Sequence, residues 1–178
     1  MIWLNRFTNF NRFTVEARRC VEAAIEEARR LGHDAVEVED LLLGVLAADG
    51  GIATEALSSL GISLEAARGA AEEVFSDTLA SIGISFDEIR QQAGEGFEMR
   101  NSSPGHLPFS PQAKKALEMS LLEAMQLGDT KITGEHILRG ALRNRDGHAV
   151  RVIANLRVPV EAVQSRLDQL RRQSPTAR

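Results

Sequence analysis

The chain has 178 residues, of which 43% are hydrophobic and 26% are charged, so it carries enough apolar side chains for a folded core. Its formal net charge is −4, which argues against a nucleic-acid-binding protein because such proteins usually carry a basic patch. The single cysteine, Cys20, excludes an intrachain disulfide, and no stretch resembles a secretory signal or approaches the ~20 apolar residues of a membrane span. We therefore expect a cytoplasmic protein that binds neither nucleic acid nor a membrane.

Residues 1–12 form an aromatic lead-in to the first helix. Trp3, Phe7 and Phe10 lie there, in a chain with one tryptophan, seven phenylalanines and no tyrosine. These three residues show no helical period, so they are expected to pack against the first helix as a hydrophobic clasp. An exposed docking surface is the alternative.

Four helices are predicted within residues 13–75. Thr14 is expected to cap the first helix, because its hydroxyl can accept a hydrogen bond from a backbone N–H group of the first turn. Apolar residues then recur at spacings of four and three, which is the pattern of one helix face, and Gly32 is suited to end that helix in the left-handed conformation. The other three are a leucine-rich and therefore central helix at 39–48, a helix at 52–60, and a helix capped by Ser63.

Residues 107–172 repeat this unit. Subtracting 96 from a residue number of this segment gives its partner in the first, and the register holds without a gap to Leu170. The aligned pairs include Phe109 with Phe13, Ser110 with Thr14, Glu135 with Glu39 and Gly140 with Gly44. The first helix of the second copy begins after Ser110, and the others span 135–143, 149–156 and 160–172. Because an internal repeat determines the architecture, we predict an all-α fold made of two copies of one helical unit.

The spacer at 76–106 holds one further helical segment. Its sequence LASIGISFDEIR, at 79–90, echoes LSSLGISLEAAR, the corner between the third and fourth helices. Ser85 and Glu88 form a capping-box pattern, which predicts a short helical insertion. Residues rich in Gly, Ser, Asn and Pro follow and indicate a linker, and the chain closes with a polar tail at 173–178.

Motifs of enzymes and cofactor sites are missing from the sequence. It has no G-x-x-x-x-G-K-[ST] phosphate loop, no H-E-x-x-H zinc motif and no G-x-S-x-G nucleophile elbow. Its four histidines are scattered, and Glu135 followed by His136 supplies too few ligands for a metal site. Cys20 lies in helical sequence and is interpreted as a packing residue rather than a reactive thiol. We predict a non-enzymatic protein without a metal or cofactor.

The repeated residues resemble the amino-terminal domain of Clp unfoldases. R-F-T-x-x-A-R at 12–18, E-A-R-R-L-G-H at 27–33 and E-D-L-L-L-G at 39–44 are similar to the first half of that domain. P-F-S-P-Q-A-K-K-A-L-E at 108–118, L-G-D at 127–129 and G-E-H-I-L at 134–138 are similar to its second half, most nearly in C-type unfoldases of Gram-positive bacteria. The resemblance implies two four-helix Clp repeats, related by a pseudo-twofold axis and packed as one domain. It also implies a domain that recruits substrates and adaptors, here without the ATPase rings.

The same resemblance implies a binding site for phosphorylated arginine in each repeat. Glu39 and Glu135 fall on the positions that pair with the guanidinium, and Thr14 and Ser110 on positions near the phosphate. The chemistry is reasonable because helix N-terminal amides attract anions and a carboxylate pairs with a guanidinium. All four residues are equally suited to the start of a helix, so a purely structural role is the alternative.

Three departures from the family pattern bear on this site. Val38 and Gly134 stand where the family has threonine. Asp40 stands where it has histidine and would add negative charge near the phosphate. On charge alone, the site at Glu135 and His136 is the better candidate, with Lys114 or Lys115 in reach.

A second surface implied by the resemblance lies between the repeats, where actinobacterial members bind cyclic peptide antibiotics. The positions that match it are Phe10, Phe109, Lys114 and Glu118. An exposed pair of phenylalanines would anchor a docked peptide. Packing of Phe109 onto its own helix is the alternative.

Two functions of different class follow from these observations. The first is a protein- or peptide-binding module that acts as an adaptor, modulator or decoy in Clp-dependent proteolysis. Its expected partners are Clp components or their adaptors, arginine-phosphorylated proteins, and cyclic peptides that it would sequester. The alternative is a regulatory or scaffolding protein that keeps the fold without a Clp connection.

Overall fold

The structure is a computed structural model that describes residues 10–83 and 107–174. These residues contain eight α-helices. They are α1 Val15–Leu31, α2 Val38–Ala47, α3 Gly51–Ser59, α4 Leu64–Ser81, α5 Pro111–Gln126, α6 Gly134–Ala141, α7 His148–Asn155 and α8 Val160–Gln173. The predicted all-α fold of two four-helix repeats is confirmed, with α1–α4 in the first repeat and α5–α8 in the second. Trp3 and Phe7 of the lead-in, the predicted insertion at Ser85 and most of the polar tail lie outside the described residues.

The first helix of each repeat begins at its predicted cap. The Thr14 hydroxyl accepts a hydrogen bond from the Ala17 backbone amide at 3.1 Å, and the Ser110 hydroxyl accepts one from the Ala113 amide at 3.1 Å. Gly32 ends α1 with a φ of 74°, in the left-handed region that L side chains rarely adopt. Local sequence therefore determines where these helices start and where α1 stops.

The last helix of the first repeat runs past the expected repeat boundary at residue 75. α4 continues to Ser81, because neither proline nor a glycine in the left-handed conformation interrupts it before Gly83. Gly83 has a φ of 79°, and Gly61 after α3 has a φ of 78°. The two echoing stretches thus both encode the end of a helix, and the spacer begins as a continuation of α4.

Glycine allows the first two helices of each repeat to approach closely. α1 packs against α2, and α5 packs against α6. A Cβ atom on Gly44 would lie 2.7 Å from the Ala24 backbone nitrogen, and one on Gly140 would lie 2.9 Å from that of Ser120. Any side chain at these two aligned positions would therefore push the helices apart.

The two repeats interlock rather than lie side by side. α2 packs against α6 and α7, α4 packs against α7, and α8 packs against α3. Two pairs of backbone hydrogen bonds join the repeats at helix starts. The Thr14 amide donates to the Ile132 carbonyl at 2.9 Å, and the Ile132 amide donates to the Arg12 carbonyl at 2.7 Å. The Ser110 amide donates to the Val36 carbonyl at 3.0 Å, and the Val36 amide donates to the Pro108 carbonyl at 2.7 Å. The first helix of each repeat is thus anchored beside the start of the second helix of the other.

The core is centred on α2, as its leucine run predicts. Leu41, Leu42 and Leu43 are fully buried. Among the described residues, no single helix is long and apolar enough to cross a membrane. α2 and α3 reach that length only as a pair that is bent by 94°.

Candidate functional site

The interlocking of the repeats creates two composite sites, each combining a glutamate from one repeat with a helix start from the other. Site A joins Glu39, in the first turn of α2, to the start of α5 at Ser110. Site B joins Glu135, in the first turn of α6, to the start of α1 at Thr14. The sequence groups these residues by repeat, whereas the backbone hydrogen bonds in front of α2 and α6 bring them together across the repeats.

Site A contains a cavity of about 770 Å³. Its walls come from α2, α4, α5, the end of α6, the α6–α7 loop and the start of α7. The apolar wall residues are Val38, Phe75, Pro111, Ala116, Met119 and Ala141. Lys115 and Arg143 add positive charge to the same walls, and Glu37 and Asp146 add negative charge. The volume falls within the range of ligand pockets, roughly 300–1,000 Å³.

Glu39 is the buried acid of site A. It is 1% exposed, and its Oε1 lies 3.1 Å from Nδ1 of His148, at the start of α7. Its Oε2 is buried and has no hydrogen-bond partner among the described residues. The hydrogen bond with Glu39 raises the pKa of His148, although partial burial opposes this shift. Because a buried carboxylate oxygen without a partner is costly, this atom is well placed to contact a cationic group in the cavity.

Glu135, the acid of site B, has both oxygens engaged by arginines of its own chain. Nε and Nη2 of Arg139 donate to Oε1 at 3.0 and 2.9 Å, and Nη1 of Arg171 donates to Oε2 at 3.0 Å. Arg171 also donates to Asp129 at 2.6 Å, and Arg139 to Asp168 at 2.6 Å. Glu135 is 3% exposed, so two guanidinium groups neutralise a carboxylate that is closed off from solvent.

Glu16 brings a second carboxylate into site B. It lies in the first turn of α1 and accepts a hydrogen bond from the Gly134 backbone amide at the start of α6. A Cβ atom on either Gly51 or Gly134 would collide with this carboxylate. Burial raises the pKa of Glu16; the Gly134 amide opposes the rise and the charge of Glu135 adds to it. The aligned residue in site A is Gln112, which lines the open cavity.

Asp40 has a structural role instead of the expected position beside a bound phosphate. It is fully buried, and its Oδ2 lies 2.8 Å from Nδ1 of His33. The same oxygen accepts a hydrogen bond from the Glu37 backbone amide at 2.8 Å, which completes the start of α2. Asp40 is therefore held by the corner in front of α2 and is not part of the cavity wall.

Lys115, one of the two lysines expected beside Glu135, belongs to the other site. Lys115 lines the cavity with Glu39, because α5 starts beside α2. The hydroxyls of Thr14 and Ser110 cap their own helices, and a role in phosphate binding stays a prediction for both. Charge alone favoured the site at Glu135 over the site at Glu39. In the structure, however, Glu39 faces an open cavity, whereas Glu135 is enclosed.

Burial removes one aromatic residue from the predicted peptide-docking surface. Phe109 is 3% exposed, and its backbone pairs with that of Val36. A role in packing therefore fits Phe109 better than a role as an exposed docking anchor. Lys114 is half-buried, and Glu118 is exposed on α5. Phe10 lies in the 3₁₀ turn in front of α1, and its side chain lies outside the described part of the structure.

Neither the cysteine nor the acidic and imidazole groups form a reactive or metal site within residues 10–83 and 107–174. Cys20 is 2% exposed, and burial raises the pKa of its thiol to about 12, with the charge of Glu16 adding to the rise. The reactive thiolate is therefore scarce at neutral pH, in agreement with a packing role. No three His, Cys, Asp or Glu side chains of these ranges lie close enough together to hold a metal ion.

Sequence reasoning missed the residues that distinguish the two sites. His148 in site A, and Arg171 and Glu16 in site B, were not candidates. The available signal was the alignment of the two copies, in which Arg171 falls on Phe75 and Glu16 on Gln112. Charge differs at both of these positions.

Comparisons with known proteins agree with this architecture. The Clp repeat (R) N-terminal domain family matches residues 12–79, 71–156 and 108–178. The chain is 37% identical over 161 residues to the ATP-dependent Clp protease ATP-binding subunit ClpA homolog of Porphyra purpurea, covering 90% of this chain and 17% of that relative. It is 41% identical over 155 residues to the chloroplastic chaperone protein ClpC1 of Arabidopsis thaliana, covering 85% of this chain and 14% of that relative.

Solved structures share the fold. The N-terminal domain of the caseinolytic protease associated chaperone ClpD from Arabidopsis thaliana has a TM-score of 0.64 at 24% identity, covering 94% of this chain and 98% of that one. The Hsp104 N-terminal domain from Candida albicans has a TM-score of 0.60 at 16% identity, covering 89% of this chain and 91% of that one. The chain spans less than a fifth of the length of the two curated relatives. Because the family matches extend from residue 12 to residue 178, the chain belongs to the family of Clp repeat N-terminal domains.

Proposed function

We propose that this chain is a Clp-type protein-interaction module that binds an arginine-phosphorylated segment of a partner protein in site A. Family membership supports the general part, an interaction module related to Clp unfoldases. One observation carries the specific part: Oε2 of Glu39 is buried without a partner at the wall of a cavity of about 770 Å³.

A phosphoarginine side chain complements the charges of site A. Its guanidinium would supply the hydrogen bond that Oε2 of Glu39 lacks, and hydrogen bonds between charged groups are the stronger ones. Its phosphate would meet Lys115 and Arg143, which pair with Glu118 and Glu123 in the structure. Their side chains are 66% and 44% exposed and can reorient toward a ligand. The apolar wall of the cavity suits the aliphatic part of the arginine and the neighbouring residues of a peptide.

The role that we propose is recruitment in Clp-dependent proteolysis, as a non-catalytic adaptor, modulator or decoy. Clp components and their adaptors are the proposed partners. Sequestration of cyclic peptides through Phe10, Phe109, Lys114 and Glu118 has less support, because Phe109 is buried. Cytoplasmic location stays a prediction; the ClpC1 relative is chloroplastic.

A regulatory or scaffolding protein without a Clp connection is the second candidate. The state of site B favours it, because arginines of the chain itself occupy Glu135, one of the two acids that the family resemblance assigns to ligand binding. A chain that has lost one such site has departed from the family pattern.

Titration with defined peptides tests the ligand. Calorimetry would compare one peptide carrying phosphoarginine, arginine or phosphoserine at the same position. We expect the phosphoarginine peptide to bind most tightly and to lose about tenfold or more in affinity with Glu39→Gln, which keeps the size of the side chain and removes its charge. Glu65→Gln, which changes a carboxylate that is 91% exposed and outside the cavity wall, is the matched control and should bind as the wild type does. Equal affinity of the wild type and Glu39→Gln would refute this assignment.

A pull-down from the native lysate tests the partners. Clp subunits or arginine-phosphorylated proteins should be captured by the wild type, and Glu39→Gln should lose the phosphorylated ones. The same set of unrelated proteins on both baits would favour the scaffolding alternative.

A further inference from the structure

We infer that site B is a guanidinium-binding site which the chain fills with its own Arg171, so that the module offers one ligand site instead of two. The statement about ligand number rests on the proposed function. The internal occupation of site B stands on contacts within the chain and has a test of its own.

Arg171 is held in the way that an arginine ligand would be. Its Nη1 donates to Oε2 of Glu135 at 3.0 Å, and its Nη2 donates to Oδ2 of Asp129 at 2.6 Å and to the Leu127 carbonyl at 3.4 Å. The side chain is 15% exposed. A planar guanidinium between two carboxylates matches the fork geometry by which proteins recognise arginine.

Glu16 supplies the anionic half of the same arrangement. Its carboxylate accepts a hydrogen bond from the Gly134 amide, at the positive end of the α6 dipole. It also lies against Gly51 so closely that a Cβ atom there would collide with it. The chain therefore places both a cation and an anion in site B, the two charges that a phosphoarginine carries.

The aligned residues explain why site A stays open. The repeat offset pairs Arg171 with Phe75, Arg139 with Leu43 and Glu16 with Gln112. None of the three site A residues carries a charge that could neutralise Glu39. Phe75 and Gln112 instead line the cavity, and His148 is bound to one of the two Glu39 oxygens.

Chemical rescue tests the internal occupation of site B. Arg171→Ala should lower the Tm by roughly 4–8 °C, because Glu135 and Asp129 lose a shared guanidinium. Methylguanidinium at low millimolar concentration should raise the Tm of this variant by a few degrees, since it can refill the vacated position, and should leave the wild type unchanged. Arg166→Ala is the matched control on the same helix, because Arg166 is bound by neutral side chains only, and it should not respond.

An equal response to methylguanidinium in all three proteins, or a response in none of them, would overturn the inference. Arg171→Gln keeps a shorter polar side chain and serves the same test if Arg171→Ala does not fold.

Peptide stoichiometry separates failure of this inference from failure of the proposed function. The wild type should bind one equivalent of the phosphoarginine peptide, and that equivalent should persist in Glu135→Gln. A second equivalent should appear in the double variant Glu16→Gln, Arg171→Ala. Two equivalents on the wild type would overturn the inference and leave the proposed function intact. No binding at all would refute the proposed function, and methylguanidinium rescue would still decide whether site B is filled from within.

Discussion

At the corner in front of their second helix, the two repeats hold the same polar pair with its members exchanged. In the first repeat, His33 lies in the corner and Asp40 in the first turn of α2, with 2.8 Å between Nδ1 and Oδ2. In the second repeat, Asp129 lies in the corner and His136 in the first turn of α6, with 3.0 Å between Oδ2 and Nε2, close enough for an ion pair but without the geometry of a hydrogen bond. The repeat offset aligns His33 with Asp129 and Asp40 with His136. The fold therefore requires complementary partners at this corner rather than a particular residue at either position.

The first-turn member of each pair also caps its helix. Asp40 accepts a hydrogen bond from the Glu37 amide at 2.8 Å, and Nδ1 of His136 accepts one from the Thr133 amide at 2.9 Å. An imidazole and a carboxylate can both accept in this way, so the capping requirement survives the exchange.

The exchange changes how the two histidines titrate. Burial by itself lowers the pKa of each. At His33 the hydrogen bond and the charge of Asp40 outweigh burial and raise the pKa. At His136 burial prevails over the charges of Glu135 and Asp129, and the pKa is lowered. His33 is therefore expected to stay protonated to a higher pH than His136.

The composite sites differ far more than the corners that support them. Site A keeps an open cavity beside Glu39, whereas Arg139, Arg171 and Glu16 occupy site B around Glu135. Side chains that support the helix corner are complementary in both repeats. Side chains around the two aligned glutamates are not.

Removing one member of the first polar pair should have the largest effect on stability. Asp40→Ala is expected to lower the free energy of unfolding by about 3–5 kcal/mol, because it leaves buried His33 and the Glu37 amide without an acceptor. Denaturant unfolding measures this loss. The double variant His33→Asp, Asp40→His, which copies the second repeat, should recover more than half of it.

The double variant can also give a result that contradicts this prediction, and an exposed carboxylate provides the control. A double variant no more stable than Asp40→Ala would show that the surroundings, and not complementarity, select the order of the pair. Glu65→Ala changes a carboxylate that is 91% exposed, and it should alter stability by no more than about 0.5 kcal/mol.

The close helix contacts that both repeats share should respond alike to substitution. Gly44→Ala and Gly140→Ala are each expected to cost about 1–3 kcal/mol, because the added methyl group would meet the backbone of the neighbouring helix. Gly69→Ala is the matched control, since its Cβ would have nothing within 4 Å, and it should stabilise α4 by about 0.5–1 kcal/mol. A cost at only one of the two aligned glycines, read from denaturant unfolding, would show that the repeats pack differently at this contact.

The smallest expected effect concerns the contact between Glu39 and His148 in site A. Because the pKa of His148 is raised by its hydrogen bond with Glu39, the contact stabilises the fold fully below the ordinary histidine pKa of about 6.5. This contribution is lost as the pH rises through the raised pKa. The stability difference between the wild type and His148→Gln should therefore shrink with rising pH, by at most about 1 kcal/mol for a partly exposed pair. Parallel stability curves across that range would contradict a charged contact.

Local features of the fold could be predicted from the sequence. The spacing of apolar residues and the caps at Thr14 and Ser110 act within one or two helical turns, so they can be recognised without knowing the tertiary structure. The offset of 96 established that the unit occurs twice. The extent of α4 was harder to predict, because the helix ends at Ser81, shortly before Gly83, and not at the repeat boundary.

The candidate site was predicted only in part. Glu39 and Glu135 were candidates because they occupy aligned first-turn positions. Phe109 was a candidate for an exposed anchor, but it is buried, and its backbone pairs with that of Val36 in the other repeat. Helix periodicity reports which residues share a face and does not report what covers that face.

The sequence by itself determined the helices, their caps and their duplication, because these depend on interactions between residues that are close in the chain. Only the tertiary structure decided which helix start meets which glutamate, since the repeats cross and bring Ser110 to Glu39 and Thr14 to Glu135. It also decided that Arg171 reaches Glu135 while Glu39 stays open to a cavity. These outcomes depend on side chains that are distant in sequence, and no local pattern encodes which of them will fill the space between two interlocked repeats.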